Sequence, residues 1–207
     1  RRTATGRAVA TLSLLLATSA IAAGCGGGKP ASASAGSAKL DAPGKLEPPT
    51  LAPEIALRDS TGRLVRLSQF RGKAVLLTFI YDHCPDTCPL IVAKLHRALV
   101  ELGSRAKQVQ VVAVSVDPRG DTPQTVKAFL AEHQMTGRME YLIGSWSQLA
   151  SVWRAYDIAA QGTPDSREVS HTALVYGITG KGVRLALYDQ AFEPSEIAHD
   201  VPLLAAM

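Results

Sequence analysis

The chain has 207 residues, of which 46% are hydrophobic, 19% are charged and 5% are aromatic. This length and composition indicate one globular domain with an appendage, and they exclude collagen, a coiled coil and a polytopic membrane protein. Three of the 22 basic residues, Arg1, Arg2 and Arg7, lie in the first 24 residues, which contain no acidic residue. The rest of the chain is nearly neutral, with 19 basic and 18 acidic side chains, so no nucleic-acid partner is indicated.

The N-terminal part has the order of a secretory signal peptide of lipoprotein type, predicted over residues 1–24. Basic residues precede the apolar stretch 8–23, which is too short and too diluted by polar residues for a membrane-spanning helix. The sequence Ala22-Ala-Gly-Cys25 resembles a bacterial lipobox, with Ala22 where Leu is usual. In a lipobox the Cys, here Cys25, becomes the lipid-modified first residue of the mature protein. A soluble secreted protein with an incidental Cys25 is the alternative.

A flexible tether is predicted over residues 25–50. Gly, Ser, Ala and Pro predominate in this segment, and such residues bury too little apolar area to offset the entropy lost on ordering. The folded domain is predicted over residues 51–207, a length that suits one compact domain.

The predicted domain alternates strands with helices. Two short alternating runs flank the turn-forming residues 59–62 and predict an N-terminal hairpin. Apolar runs predict further strands over 74–81, 109–116, 141–143, 172–178 and 183–188. Apolar residues at helical spacing predict helices over 90–103, from Thr122, after Ser145 and from about Ser195, the last interrupted by Pro202. The sequence therefore predicts an α/β sandwich in which helices flank a central mixed sheet.

Cys84 and Cys88 lie four residues apart at the predicted junction between a central strand and the first helix. Their sulfur atoms can face one side of the first helical turn, where free N–H groups and the helix dipole favour thiolate. Thiolate is both a nucleophile and a metal ligand. A structural disulfide and two buried free thiols are the alternatives.

The five histidines offer a third functional group. His171 follows a polar loop and precedes a strand-like run, so it can lie at a strand end beside another loop. The other four suit solvated or capping positions: His83, His96, His133 and His199. The residues alone leave open whether His171 is a ligand.

Three segments together resemble the Sco/SenC family, copper-handling proteins of cytochrome oxidase assembly. They are Thr78-Phe-Ile-Tyr-Asp-His-Cys-Pro-Asp-Thr-Cys-Pro89, Val114-Ser-Val-Asp-Pro-Arg-Gly-Asp-Thr-Pro123 and Ser170-His-Thr172. The resemblance runs from about Leu51 to Met207 and implies a thioredoxin-like fold. It also implies that the copper ligands are Cys84, Cys88 and His171. Ser170 stands where the family usually has Asp, so this chain lacks the carboxylate that could orient the ligand histidine.

The resemblance implies a copper metallochaperone rather than an enzyme. Such a protein delivers copper to cytochrome c oxidase during assembly, or it reduces the cysteines of the oxidase copper site. Two thiolates and one imidazole suit Cu(I), whereas Cu(II) needs further oxygen or nitrogen donors. Zn²⁺ binds the same types of ligand and is therefore the competing metal. The implied partners are an oxidase subunit or another copper chaperone, and the membrane through a lipid anchor. The implied location is the bacterial periplasm or another extracytoplasmic face.

Two other functions fit the same residues. One is a thiol–disulfide oxidoreductase or thiol peroxidase, in which one of Cys84 and Cys88 is the nucleophile and the other resolves the mixed disulfide. The other is a lipid-tethered interaction domain with a structural disulfide. A reductase has no need of His171, whereas a copper carrier requires it.

Overall fold

The computed structural model of the chain describes residues 39–159 and 173–207. Its strands are β1 (Gly44–Leu51), β2 (Ala56–Asp59), β3 (Leu64–Arg66), β4 (Ala74–Ile80), β5 (Val109–Ser115), β6 (Met139–Ile143), β7 (Leu174–Ile178) and β8 (Val183–Asp189). They form one sheet in the order β1-β8-β7-β4-β5-β6-β2-β3. The β4–β5 and β5–β6 pairs are parallel and the other pairs are antiparallel, so the sheet is mixed.

Helices cover both faces of the sheet. They are α1 (Thr87–Leu102), α2 (Pro123–Glu132), α3 (Trp146–Ala155) and α4 (Pro194–Ala206), with short 3-10 turns at Leu67–Phe70 and Gly103–Gln108. Helices α1, α2 and α4 bury apolar side chains in one core, and α3 and the β2–β3 hairpin do so in the other. This arrangement confirms the predicted α/β sandwich with a central mixed sheet and an early hairpin.

Strand β4 lies in the middle of the sheet, and all seven of its side chains are buried. Leu76 and Ile80 belong to the core beneath α1, α2 and α4, whereas Leu77 and Phe79 belong to the core beneath α3. A strand covered on both faces has no polar face, which explains its near-continuous apolar sequence.

The folded domain begins before the predicted boundary at residue 51. Residues 44–51, which the sequence analysis assigned largely to the tether, form β1 and pair antiparallel with β8. Pro48 and Pro49 lie where this pairing is irregular. An edge strand tolerates Pro because the missing N–H group can face solvent. A Pro-rich segment was therefore wrongly interpreted as linker.

A buried carboxylate fixes the segment that precedes β1. Asp200 of α4 is fully buried. It accepts hydrogen bonds from the backbone N–H groups of Asp41 at 2.7 Å and Ala42 at 2.9 Å, and from the Tyr188 hydroxyl at 2.9 Å. The side chain of Leu40 is buried as well. The packed part of the domain therefore extends back to residue 40.

Helix α4 continues past Pro202 to Ala206, where the sequence predicted an interruption. Proline removes one N–H donor and crowds the carbonyl group four residues earlier. Val201 and Leu204 are nevertheless fully buried in the core beneath α1, α2 and α4. This apolar packing holds the last turn of the helix in place.

The predicted N-terminal appendage lies mainly outside the described residues. Residues 1–38, which include the predicted signal peptide and Cys25, are not among them. Within residues 39–159 and 173–207, no helix is long and apolar enough to cross a membrane.

Candidate metal centre

The cysteine pair lies where β4 leads into α1, as the sequence predicts. Cys84 lies in the turn after the strand, and Cys88 lies in the first turn of the helix. The Asp86 carboxylate accepts a hydrogen bond from the N–H of Thr87 and caps the helix. The backbone N–H of Cys88 donates to the Cys84 sulfur over 3.4 Å. The turn therefore brings the two cysteines together.

Hydrogen-bond donors determine the protonation of Cys84, which is partly exposed. Burial alone would raise the pKa of this thiol, but the backbone N–H groups of Cys88 and Asp86, the Cys88 thiol and the Tyr81 hydroxyl all donate to its sulfur. Together they lower the pKa of Cys84 below its ordinary value, because hydrogen bonds to a sulfur anion favour the charged form. Cys84 is therefore the more acidic thiol of the pair.

Cys88 has the opposite environment. Its side chain is fully buried, and this burial raises the pKa of the Cys88 thiol far above its ordinary value. The backbone N–H of Tyr81 lowers that pKa in part, whereas a negative charge on Cys84 raises it further. The pair consequently holds one thiolate much more readily than two.

Alkylation by iodoacetamide is expected to separate the two thiols in a chain that carries Cys25→Ala. Only thiolate attacks the reagent, and its fraction at a given pH rises as the pKa falls. Cys84 should therefore react at a pH below the usual thiol pKa of about 8.5, while Cys88 stays unmodified until the chain unfolds. Peptide mass spectrometry over a pH series measures both reactions. Modification of Cys88 before Cys84 would contradict this assignment.

The predicted third ligand, His171, lies outside the described residues. The described chain resumes at Ala173, directly before β7, and β7 pairs antiparallel with β4 through Val175 and Thr78. The Thr78 hydroxyl also donates to the Leu174 carbonyl over 2.9 Å. The start of β7 therefore lies beside the end of β4, at the sheet edge that carries the cysteine turn.

Among the described histidines, His83 alone lies outside a helix and its ends. Three of the four histidines predicted to be solvated or capping lie in helices or at a helix end, namely His96, His133 and His199. His83 instead follows β4 directly, and its half-exposed ring contacts the carboxylates of Asp82 and Asp117. The half-exposed ring agrees with the predicted solvated position, and the two carboxylates are contacts that the sequence did not indicate.

A buried acidic network that the sequence analysis missed lies beside the cysteine turn. The Asp121 carboxylate accepts hydrogen bonds from the Asp82 backbone N–H at 2.9 Å and from the Tyr141 hydroxyl at 2.8 Å. Burial, together with the negative charge of Asp82, raises the pKa of Asp121 to about 7. The alternation of strands and helices could have predicted this network, because residues that follow the parallel strands β4 and β5 meet at one edge of the sheet.

Comparison with known families gives one match over most of the domain. The family model described as SCO1/SenC matches residues 44–206. The mitochondrial protein SCO2 homolog of Bos taurus is 29% identical over 154 residues, which are 72% of this chain and 57% of the bovine protein. The chain thus spans little more than half the length of this relative and of its human counterpart.

Two solved structures that are similar to this chain have copper bound. ScoI from Bradyrhizobium japonicum is 30% identical with a TM-score of 0.66, covering 75% of this chain and 99% of that one. ScoI from Arabidopsis thaliana is 27% identical with a TM-score of 0.65, covering 73% and 96%. These similarities confirm the predicted thioredoxin-like α/β sandwich.

Proposed function

The chain belongs to the SCO1/SenC family, and on this basis we propose that it is a copper metallochaperone. It takes up copper as cargo and delivers it to cytochrome c oxidase during assembly, or it reduces the cysteines of the oxidase copper site. The observation that carries the proposal is the convergence of Cys84 and Cys88 at the start of α1. The copper held by two solved relatives supports the choice of metal.

The protonation of the two thiols determines how copper is loaded. Soft thiolates suit Cu(I), and each thiol loses its proton when it becomes a ligand. Cys84 supplies a thiolate readily because its pKa is lowered. Cys88 gives up its proton only in exchange for the metal, because burial raises its pKa. The resulting dithiolate site carries a net charge of −1, which the N–H groups around Cys84 moderate.

His171 completes the proposed ligand set, as the family resemblance implies. It precedes Leu174 by three residues, and three residues span at most about 11 Å. Leu174 lies beside the end of β4, and the cysteine turn follows β4. A segment of three residues is therefore long enough to support a position of the His171 imidazole near the cysteine pair. A site with two sulfur donors and one nitrogen donor leaves the metal open to an incoming ligand, as a carrier requires.

Copper uptake before and after oxidation tests the proposal. A fully reduced chain carrying Cys25→Ala is expected to retain one equivalent of Cu(I) after anaerobic desalting. The same chain with a disulfide between Cys84 and Cys88 should retain none, because no thiolate remains to bind the metal. Atomic absorption measures copper, and a chromogenic disulfide reagent counts free thiols. Equal uptake by the reduced and oxidised chains would contradict the proposal.

A second function, thiol–disulfide exchange, is favoured by the unequal acidity of the two cysteines. The Cys84 thiolate is partly exposed and can attack a sulfur atom of a partner disulfide, which releases one partner thiolate. Cys88 is the resolving thiol, since it loses its proton as it attacks the mixed disulfide and releases the second partner thiol. The cysteine pair ends oxidised and the partner ends reduced. The two functions are compatible, because copper loads only onto the reduced pair.

The proposed location is an extracytoplasmic membrane surface, such as the bacterial periplasmic face. The proposal rests on the signal-like residues 1–24 and on the sequence Ala22-Ala-Gly-Cys25, which support a lipid anchor on Cys25. The proposed tether of residues 25–50 is shortened at its end, because Leu40 already packs in the domain. An oxidase subunit or another copper chaperone is the proposed partner.

A further inference from the structure

A cluster of oxygen and nitrogen donors lies directly before the cysteine turn. Asp82, His83 and Asp121 each offer one donor atom, and these atoms all lie within 4.8 Å of one another. Asp117 adds a carboxylate behind the His83 ring, with its Oδ2 atom 3.3 Å from Nε2. We call these four residues the Asp82 cluster. It places three carboxylates around a single imidazole.

Two buried oxygen atoms of the Asp82 cluster lack the hydrogen bonds that buried carboxylates normally make. The Asp82 side chain is 4% exposed, and its Oδ2 atom accepts no hydrogen bond from the described residues. The Asp117 side chain is 2% exposed, and its Oδ2 atom likewise accepts none, despite the nearby imidazole. Leaving a buried carboxylate oxygen without a partner is costly. The Asp82 Oδ2 atom is therefore available to a cation, whereas Asp117 Oδ2 faces the His83 imidazole.

A second carboxylate–histidine cluster in the chain shows what a satisfied arrangement looks like. Asp41, His199 and Asp200 also bring their donor atoms together. Both oxygens of Asp200 are already occupied, by two backbone N–H groups, the Tyr188 hydroxyl and the His199 ring. That cluster has an internal structural role, and its buried carboxylate has no oxygen left for a ligand. The Asp82 cluster differs in this respect.

One side of the Asp82 cluster, formed by His83 and Asp117, faces a solvent cavity. A cavity of about 480 Å³ is lined by His83, Asp117, Arg119 and Gly120. A methyl group on Gly120 would overlap both the His83 ring and the Asp117 carboxylate. The absence of a side chain at residue 120 therefore lets the His83 ring lie over Asp117 at the side of the cavity. The cavity thus exposes the His83 ring, whereas the side chains of Asp82 and Asp121 are buried.

We propose that Asp82, His83 and Asp121 form a binding site for a divalent transition cation, which is separate from the cysteine pair. Carboxylate and imidazole donors suit borderline cations such as Zn²⁺ and Cu²⁺, whereas Cu(I) prefers sulfur. The negative charge of Asp117 holds the His83 ring from behind and favours cation binding. The site requires no thiol, so it stands independently of the proposed copper transfer.

Calorimetric titration of a thiol-free chain with Zn²⁺ tests this site. The full chain carries Cys25→Ala, Cys84→Ser and Cys88→Ala, which removes every sulfur donor of cysteine. We expect one saturable equivalent of Zn²⁺ in this background. Adding His83→Asn should weaken Zn²⁺ binding at least about tenfold. Loss of a residue that only orients a metal ligand already lowers metal affinity by about 10–100-fold, and loss of a ligand should cost at least as much. Adding Gly120→Ala should weaken it too, because the methyl group displaces the His83 ring.

The matched control is His199→Asn in the same thiol-free background. It removes an imidazole from the satisfied cluster, so Zn²⁺ affinity should stay unchanged. Far-UV circular dichroism and thermal unfolding verify that each variant is folded. Absence of saturable Zn²⁺ binding in the thiol-free chain would overturn the proposal. Binding that His83→Asn leaves unchanged, or that His199→Asn weakens equally, would also overturn it.

Discussion

Replacing His171 by Ala is expected to weaken Cu(I) binding by more than about 100-fold and to leave thiol–disulfide exchange nearly intact. The proposed site has three donors. Loss of a residue that only orients a metal ligand lowers metal affinity by about 10–100-fold, and loss of one of the three donors should lower it more. The exchange reaction needs only Cys84 and Cys88. Competition with a chromogenic Cu(I) chelator measures affinity, and reduction of a small model disulfide measures exchange.

The control for this prediction is His133→Ala, which removes an imidazole at the end of α2. It should change neither copper affinity nor exchange. The Cys84→Ser variant should lose both, because the carrier and the oxidoreductase share that thiolate. Unchanged copper binding in His171→Ala, together with lost exchange in Cys84→Ser, would reject the carrier and favour the oxidoreductase.

Replacing Asp200 by Ala is expected to lower the free energy of unfolding by about 3–5 kcal/mol, the usual cost of removing one partner from a buried charged network. The substitution leaves the Tyr188 hydroxyl and the N–H groups of Asp41 and Ala42 without their acceptor. For a domain of this size the melting temperature should fall by about 10 °C or more. Thermal unfolding followed by circular dichroism measures the change.

The control for this change is Asp41→Asn in the same cluster. The Asp41 side chain is 53% exposed and faces only His199 among the described residues, so the variant should shift the melting temperature little. Limited proteolysis gives a second readout, because Asp200→Ala should make the segment before β1 more susceptible to cleavage. Equal melting temperatures for Asp200→Ala and the unsubstituted chain would contradict the structural role of this carboxylate.

Local patterns predicted much of the fold because burial and capping act over short stretches of sequence. The apolar run that begins at Ala74 predicted β4, whose residues are buried on both faces. Thr122 and Ser145 were predicted to begin helices, and both accept a hydrogen bond from the N–H group three residues ahead. The hydrogen bonds that cap these helices join residues only three positions apart, so the helix starts can be predicted without knowledge of distant contacts.

The features that sequence analysis missed depend on distant parts of the chain. Pro48 lies in a strand only because β8 supplies a neighbour for that edge. Pro202 lies inside a helix because the surrounding turns are buried in the core. His83 faces Asp117 because two parallel strands end side by side. Each outcome requires the sheet order, which a single sequence pattern does not contain.

The direction of β1 determines the side of the sheet on which the chain enters the domain. Strand β1 runs antiparallel to β8, and β8 runs in the same direction as β4. The beginning of β1 therefore lies at the sheet edge where β4 ends, and a cavity of about 300 Å³ there is lined by Gly44, Ala173 and Leu187 among others. The chain thus enters the domain on the side that carries the cysteines. In the proposed anchored protein, the tether would therefore join the domain on the side of the sheet that carries Cys84 and Cys88, so none of its length would be needed to pass around the domain.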